Sequence, residues 1–318
     1  MIEELFKASV LVGIIGSGIR LATPYLYAAI GETFGQRSGV LNLGVEGMML
    51  MGAFSAYYVM YTADNIGHAP ALLLAVLVAL LIGALMGLAN AFITVTLKAE
   101  QGISGIGVYL FGLGLSELLF RFTLGSKDLV LIDGFPKITF PVLTDLPVVG
   151  DIFFHQNLLV YVAFALVPLS WFVLNKTTLG LKIRAVGQNP QAADAMGISV
   201  TRIRYFTVTL GGILAALSGA SLSIALENIF QQNMTAGKGF IAVALVYFGA
   251  WRPVGVMVGV LLFSLVNALQ LWVATKGIDI PAEYASMAPY ILTILALALA
   301  SRRVDQPAAL TKPFERGE

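Results

Sequence analysis

Between Pro70 and Leu97 the chain runs for 28 residues without a charged side chain. As a helix this stretch would reach roughly 42 Å at 1.5 Å per residue. That exceeds the ~30 Å hydrocarbon core of a bilayer. The run therefore predicts a membrane-crossing helix that is tilted or extends past the lipid. Composition points the same way: of 318 residues, 58% are hydrophobic and 12% charged, and mean hydropathy is +0.86. A soluble domain carries about 25% charged residues. The expected fold is all-α, a polytopic membrane protein with about eight or nine transmembrane or partly re-entrant helices.

The remaining segments follow the same logic. Residues 5–30 form a first apolar span interrupted by Arg20 and by Pro24, which removes a backbone donor and predicts a kink. Glu3 and Glu4 replace the basic start of a cleavable signal. In residues 31–54, GETFGQRSGVLNLGVEGMMLMGAF, a polar break at Gln36–Ser38 precedes an apolar run holding Asn42 and Glu46. Four residues apart, these two fall on one face of a predicted helix. Gly83 and Gly87 have the spacing of a helix-packing face, and Glu117 and Arg121 that of an i,i+4 ion pair. Residues 125–155, with Pro136, Pro141 and Pro147, hold no apolar span and predict a connector or small cap.

Residues 176–204 are the main basic interruption: Lys176, Lys182, Arg184, Arg202 and Arg204 against the single acid Asp194. Such a loop between apolar spans is expected in the cytoplasm. Counting outward, residues 125–155 become extracytoplasmic and the basic tail, 302–318, cytoplasmic. An odd number of spans puts the N-terminus outside. The second helix group, 205–301, contains the Gly211–Gly212 pair, a polar turn from Glu227 to Thr235, and spans at about 254–274 and 285–301. Between Lys238 and Trp251 the apolar piece is too short for a full span and predicts a discontinuous or re-entrant helix. Gly52-Ala53 with Leu88-Ala89-Asn90-Ala91 echoes Gly249-Ala250 with Leu265-Val266-Asn267-Ala268, which suggests an architecture of two related halves. The chain is thus a single transmembrane domain, with residues 5–175 as its first helix group.

Few side chains could carry chemistry. There is no cysteine, and His68 and His155 lie far apart beside turns, so a metal site has little to stand on. Gly237-Lys238-Gly239 lacks the upstream glycine and following Ser or Thr of a nucleotide-binding loop. An enzyme reading has no nucleophile. Inside the basic loop, however, Asn189 can N-cap a helix, Pro190 suits its first position, and Gly197 can end it left-handed. Ala192, Ala193 and Ala195 would give this short helix a small-residue surface for docking on another protein; the plainer reading is a solvated loop.

RAVGQNPQAADAMGIS, residues 184–199, resembles the cytoplasmic coupling segment of permeases in bacterial ABC importers of the branched-chain amino acid, ribose and nucleoside group. The stretch at 31–54 and GKGFIAVALVYFGAWRPVG near 237–255 resemble motifs of its nucleoside or simple-sugar branch, and the shorter of its two paired permeases in particular. The resemblance implies a second permease, separate ATP-binding subunits that hold ATP and Mg, and an extracytoplasmic substrate-binding lipoprotein. No cofactor binds the chain directly. It also implies that Arg184, Gly187, Asn189, Pro190, Ala192, Ala193, Asp194 and Gly197 meet the ATPase.

For the substrate path the expected residues are Asn42, Glu46, Asn90, Asn228 and Asn267, because carboxylate and amide groups match the hydroxyls and ring heteroatoms of a nucleoside. The alternative for Glu46 is a buried ion pair with Arg20 or Arg37. Simple sugars or branched-chain amino acids are alternative substrates. A different class, an ion-coupled secondary transporter, would use Glu46, Glu117 or Glu227.

Overall fold

The computed structural model describes residues 8–125, 130–141, 148–275 and 306–315, with isolated residues between 287 and 298. Among the described residues the fold is helical, apart from one isolated antiparallel bridge between Lys137 and Asn157. The elements are α1 (Ala8–Arg37), α2 (Val45–Thr62), α3 (His68–Ala91), α4 (Gln101–Leu124), α5 (Val149–Phe153), α6 (Leu158–Lys176), α7 (Thr178–Gln188), α8 (Pro190–Ala195), α9 (Val200–Ser221), α10 (Lys238–Phe248) and α11 (Pro253–Thr275). Single π turns extend α3 over Phe92–Thr96 and α9 over Leu222–Leu226.

Among the described residues six helices are long and apolar enough to cross a membrane: α1, α3, α4, α6, α9 and α11. The apolar run that opens at Pro70 is α3 with its π turn. Polar side chains mark where helices begin, each satisfying backbone N–H groups that have no partner in the first turn. Glu100 accepts from Gly102 N (3.0 Å) and Ile103 N (2.5 Å) at the start of α4. The Ile103 and Gly102 bonds hold its carboxyl below the usual range. Asn157 caps α6 and Thr177 caps α7 in the same manner.

The buried centre is α9, and glycines set how closely its neighbours approach. A Cβ on Gly212 would lie 2.6 Å from Gly83 O and 2.7 Å from Gly87 Cα, which brings the predicted Gly83/Gly87 face of α3 directly onto α9. On another face, a Cβ on Gly31 of α1 would lie 3.1 Å from Gly211 O. α2 closes a third side, with Gly52 against the Ala216 backbone and Gly219 against Met49. Lipid offers no hydrophobic drive between helices, so this backbone-to-backbone packing is what holds them. Ser218 Oγ adds a bond to Pro24 O at 2.6 Å.

The first span differs from its predicted limits. α1 passes Pro24 as one helix and continues through Gln36 to Arg37, because its polar residues find partners inside the protein. Asn42 is not on a helix with Glu46: it lies in the turn before α2, where its Oδ1 accepts from Gly44 N at 2.9 Å. The Glu117–Arg121 pair is present at 2.5 Å. The described part of 125–155 is a connector tied by backbone bonds: Phe135 N donates to Ile224 O (2.8 Å) and Ile132 N to Asn228 O (3.0 Å). The predicted span at 285–301 lies largely outside the described residues.

Candidate functional site

The two stretches GETFGQRSGVLNLGVEG and TAGKGFIAVALVYFGAWRPVG meet in space and bond at two places. Glu46, on the first turn of α2 and 1% exposed, accepts from Thr235 Oγ1 (2.6 Å), Gly237 N (2.7 Å) and Gly239 N (2.5 Å). A carboxylate is thus held at the N-terminus of α10, where free N–H groups and the helix dipole favour it. Gly239 permits the approach, since a Cβ there would lie 2.7 Å from Glu46 Cα. Neither Arg20 nor Arg37 pairs with Glu46: Arg20 donates to Ser17 Oγ and Arg37 Nε to Trp251 O.

The second contact is a polar chain running from α1 to the end of α10. Trp251 Nε1 donates to Gln36 Oε1 (2.6 Å), and Gln36 Nε2 donates to Glu32 Oε1 (3.0 Å). Asn42 N also donates to Glu32 Oε1, at 3.0 Å. Glu32, Gln36 and Trp251 are all buried. α10 ends just before this contact, and Ala250 and Trp251 turn the chain with φ of 52° and 55°. α10 therefore spans only from Glu46 to the α1 terminus, the discontinuous helix expected from its length.

Beyond Asn42 and Glu46, the other three expected path residues stand apart. Asn90 on α3 is fully buried, and neither of its amide atoms has a partner among the described residues. Asn228 sits at the far end of α9 with φ 56°, its carbonyl holding Ile132 N. Asn267 is half-buried on α11. None of the five lines the clefts beside Lys98 and Asp194, beside His68 and Asp133, or beside Ser17 and Trp272.

At the opposite end of α10 lies the basic segment, α7 and α8 joined at Asn189. Asn189 Oδ1 accepts from Ala192 N (3.0 Å), Pro190 begins α8, and Gly197 closes it at φ 80°. The packing revises which residues face outward. Ala193 is buried with Val186 and Val200, so it offers no docking surface. Gly187 is buried against the Arg37 backbone with no room for a Cβ. Outward-facing are Ala192, Ala195 and above all Met196, 83% exposed; Arg184 and Asp194 are half-buried.

The tail packs on this same end. Ala309 N donates to Gly187 O (2.9 Å), Phe314 packs on the cluster around Ala193, and Lys98 pairs with Glu315 at 2.8 Å. Arg204, read from the sequence as one of the basic loop's charges, is 1% exposed and brackets the junction, donating from Nε to Ser38 O (3.2 Å) and from Nη1 to Lys312 O (3.1 Å). Glu32 escaped the sequence reading, and Trp251 and Arg204 entered it only as the edge of an apolar piece and as a loop charge. Their one visible signal was polarity inside or beside apolar runs.

Comparison with known proteins completes the description. The chain is 37% identical over 310 residues to the guanosine ABC transporter permease NupQ of Bacillus subtilis, covering 96% of this chain and 97% of that protein. It is 36% identical over 299 residues to the nucleoside ABC transporter permease NupC of Lactococcus lactis, covering 93% and 94%. TsgC13 of Haloferax volcanii, provisionally a glucose ABC transporter permease, is 36% identical over 333 residues, covering 96% and 98%. The two bacteria each have a second, more distant permease that also matches, NupP and NupB. No solved structure matches. The profile of the "Branched-chain amino acid transport system / permease component" family matches residues 14–297, and the chain belongs to that family.

Proposed function

We propose that this protein is one of two permease subunits of an ATP-driven importer for nucleosides. The observation that carries the substrate is end-to-end similarity to permeases whose named substrates are guanosine and nucleosides. The matching NupP and NupB support a second permease as partner. Separate ATP-binding subunits dock on the outward residues of α8, and a binding lipoprotein delivers solute from the other side of the bacterial cell membrane. On this reading the α7–α8 segment and the tail are cytoplasmic. Glu46 and Asn42 act in the path by setting the position of α10. TsgC13 favours a second reading, the same importer taking simple sugars.

The test is uptake in cells that lack their own nucleoside importers. Expression with the partner subunits should import labelled guanosine and stop on ATP depletion. Import of glucose but no nucleoside would move the substrate to sugars. Uptake that follows an ion gradient and survives ATP depletion would sink the ATP-driven reading.

A further inference from the structure

The loop between α9 and α10 lies at a depth where lipid is expected, yet it is polar, irregular and exposed. Its depth is fixed by two aromatic contacts to α4. Phe230 packs on Phe120 with ring centroids 5.4 Å apart, and Phe240 packs on Tyr109 at 5.2 Å. At 1.5 Å per residue, these two rings lie roughly 28 Å and 12 Å along the ~36 Å length of α4. The chain between them, including Gln231, Gln232 and Asn233, is therefore level with the bilayer core. All three amide side chains are exposed.

Irregular backbone at this depth occurs only where protein covers it or water reaches it. Here the backbone is also strained: Asn233 and Ala236, neither of them glycine, have φ of 54° and 43°. Such conformations persist only where surrounding structure enforces them, and they concentrate at ligand sites. Two bonds to Glu46, from Thr235 and Gly237, supply that enforcement. On α4, Glu117 stands one turn before Phe120 and Arg121 directly after it, paired with each other and with side chains 38% and 66% exposed, so the helix that Phe230 packs on also carries exposed polar groups.

We infer that Gln231, Gln232 and Asn233 form a polar wall of the solute path, held open by the Glu46 tie. Three amides offer donors and acceptors together, which suits an uncharged polyhydroxyl solute bearing ring nitrogens or oxygens. The inference rests on the importer reading and adds a site to it.

The chain has no native cysteine, so single cysteines can be placed at will. Gln232→Cys and Asn233→Cys, in the assembled transporter, should react with a membrane-impermeant methanethiosulfonate. Leu77→Cys, on the apolar outer face of α3, should not. Saturating guanosine should slow the loop reactions several-fold, and Gln232→Ala should raise the KM for uptake. Loop cysteines as inert as that at position 77 would overturn the inference, as would reactivity that neither guanosine nor glucose alters. Protection by glucose alone would keep the wall and remove the nucleoside assignment.

Discussion

At the scale of the residue, Glu46 shows how a buried acid is tolerated. Two carboxylate oxygens take three donors from one short segment, so the desolvation cost is offset by charge-assisted bonds. The structure makes a graded prediction. Thr235→Val removes one donor and leaves two, costing on the order of 1 kcal/mol. Glu46→Gln places an NH₂ against a backbone N–H and leaves that donor unsatisfied, costing about 1–3 kcal/mol. Glu46→Ala frees all three and should be worst. Thermal unfolding of the purified complex in detergent reads the order; a Thr235→Val protein less stable than Glu46→Ala would contradict it. The sequence made Glu46 conspicuous as a carboxylate in an apolar run. It could not name the partners, because Thr235 and Gly239 lie 189 and 193 residues away and their own backbone N–H groups carry no sequence signature.

Between elements, what was legible depended on the range of the interaction. The caps of α8 were legible because Asn189, Pro190 and Gly197 act within nine residues on their own backbone. The Gly83/Gly87 face was legible as a packing face, though not its partner, Gly212. Misplaced were Asn42, whose spacing from Glu46 suggested a helix that in fact starts later, and Ala193, which is buried with Val186 and Val200 in a cluster that Ile198, Ile203 and Phe314 also pack on. The glycine contact makes its own prediction. Gly212→Ala drives a Cβ into the backbone of α3, and overpacking of this kind costs about 1–3 kcal/mol. Gly13→Ala meets nothing within 4 Å and should be neutral or slightly stabilising, since alanine also favours the helix. The ratio of folded to aggregated protein after membrane extraction distinguishes the two. Equal yields would mean that α3 and α9 can separate freely.

For the whole molecule, the question is how one end speaks to the other. The contacts form a continuous route: Gly187 rests on Arg37, Arg37 and Gln36 hold Trp251, and α10 runs from Trp251 back to Glu46 and the exposed amides. A push on α7–α8 thus meets packed backbone and buried bonds at every step, the condition for a rigid-body movement instead of local melting. That direction of travel requires the two ends to lie on opposite sides of the membrane. In the proposed importer the α8 end, which carries the tail and the basic residues Lys98, Lys182, Arg184 and Arg202, is the cytoplasmic one, the side the positive-inside rule favours. On the same proposal the connector holding Leu131, 76% exposed and tied to the far end of α9, lies outside. Met196→Cys should then react with an impermeant maleimide only in inside-out vesicles, and Leu131→Cys only in intact cells. Labelling of both from one side would break the orientation, and with it the route by which ATP closure could reach the solute path.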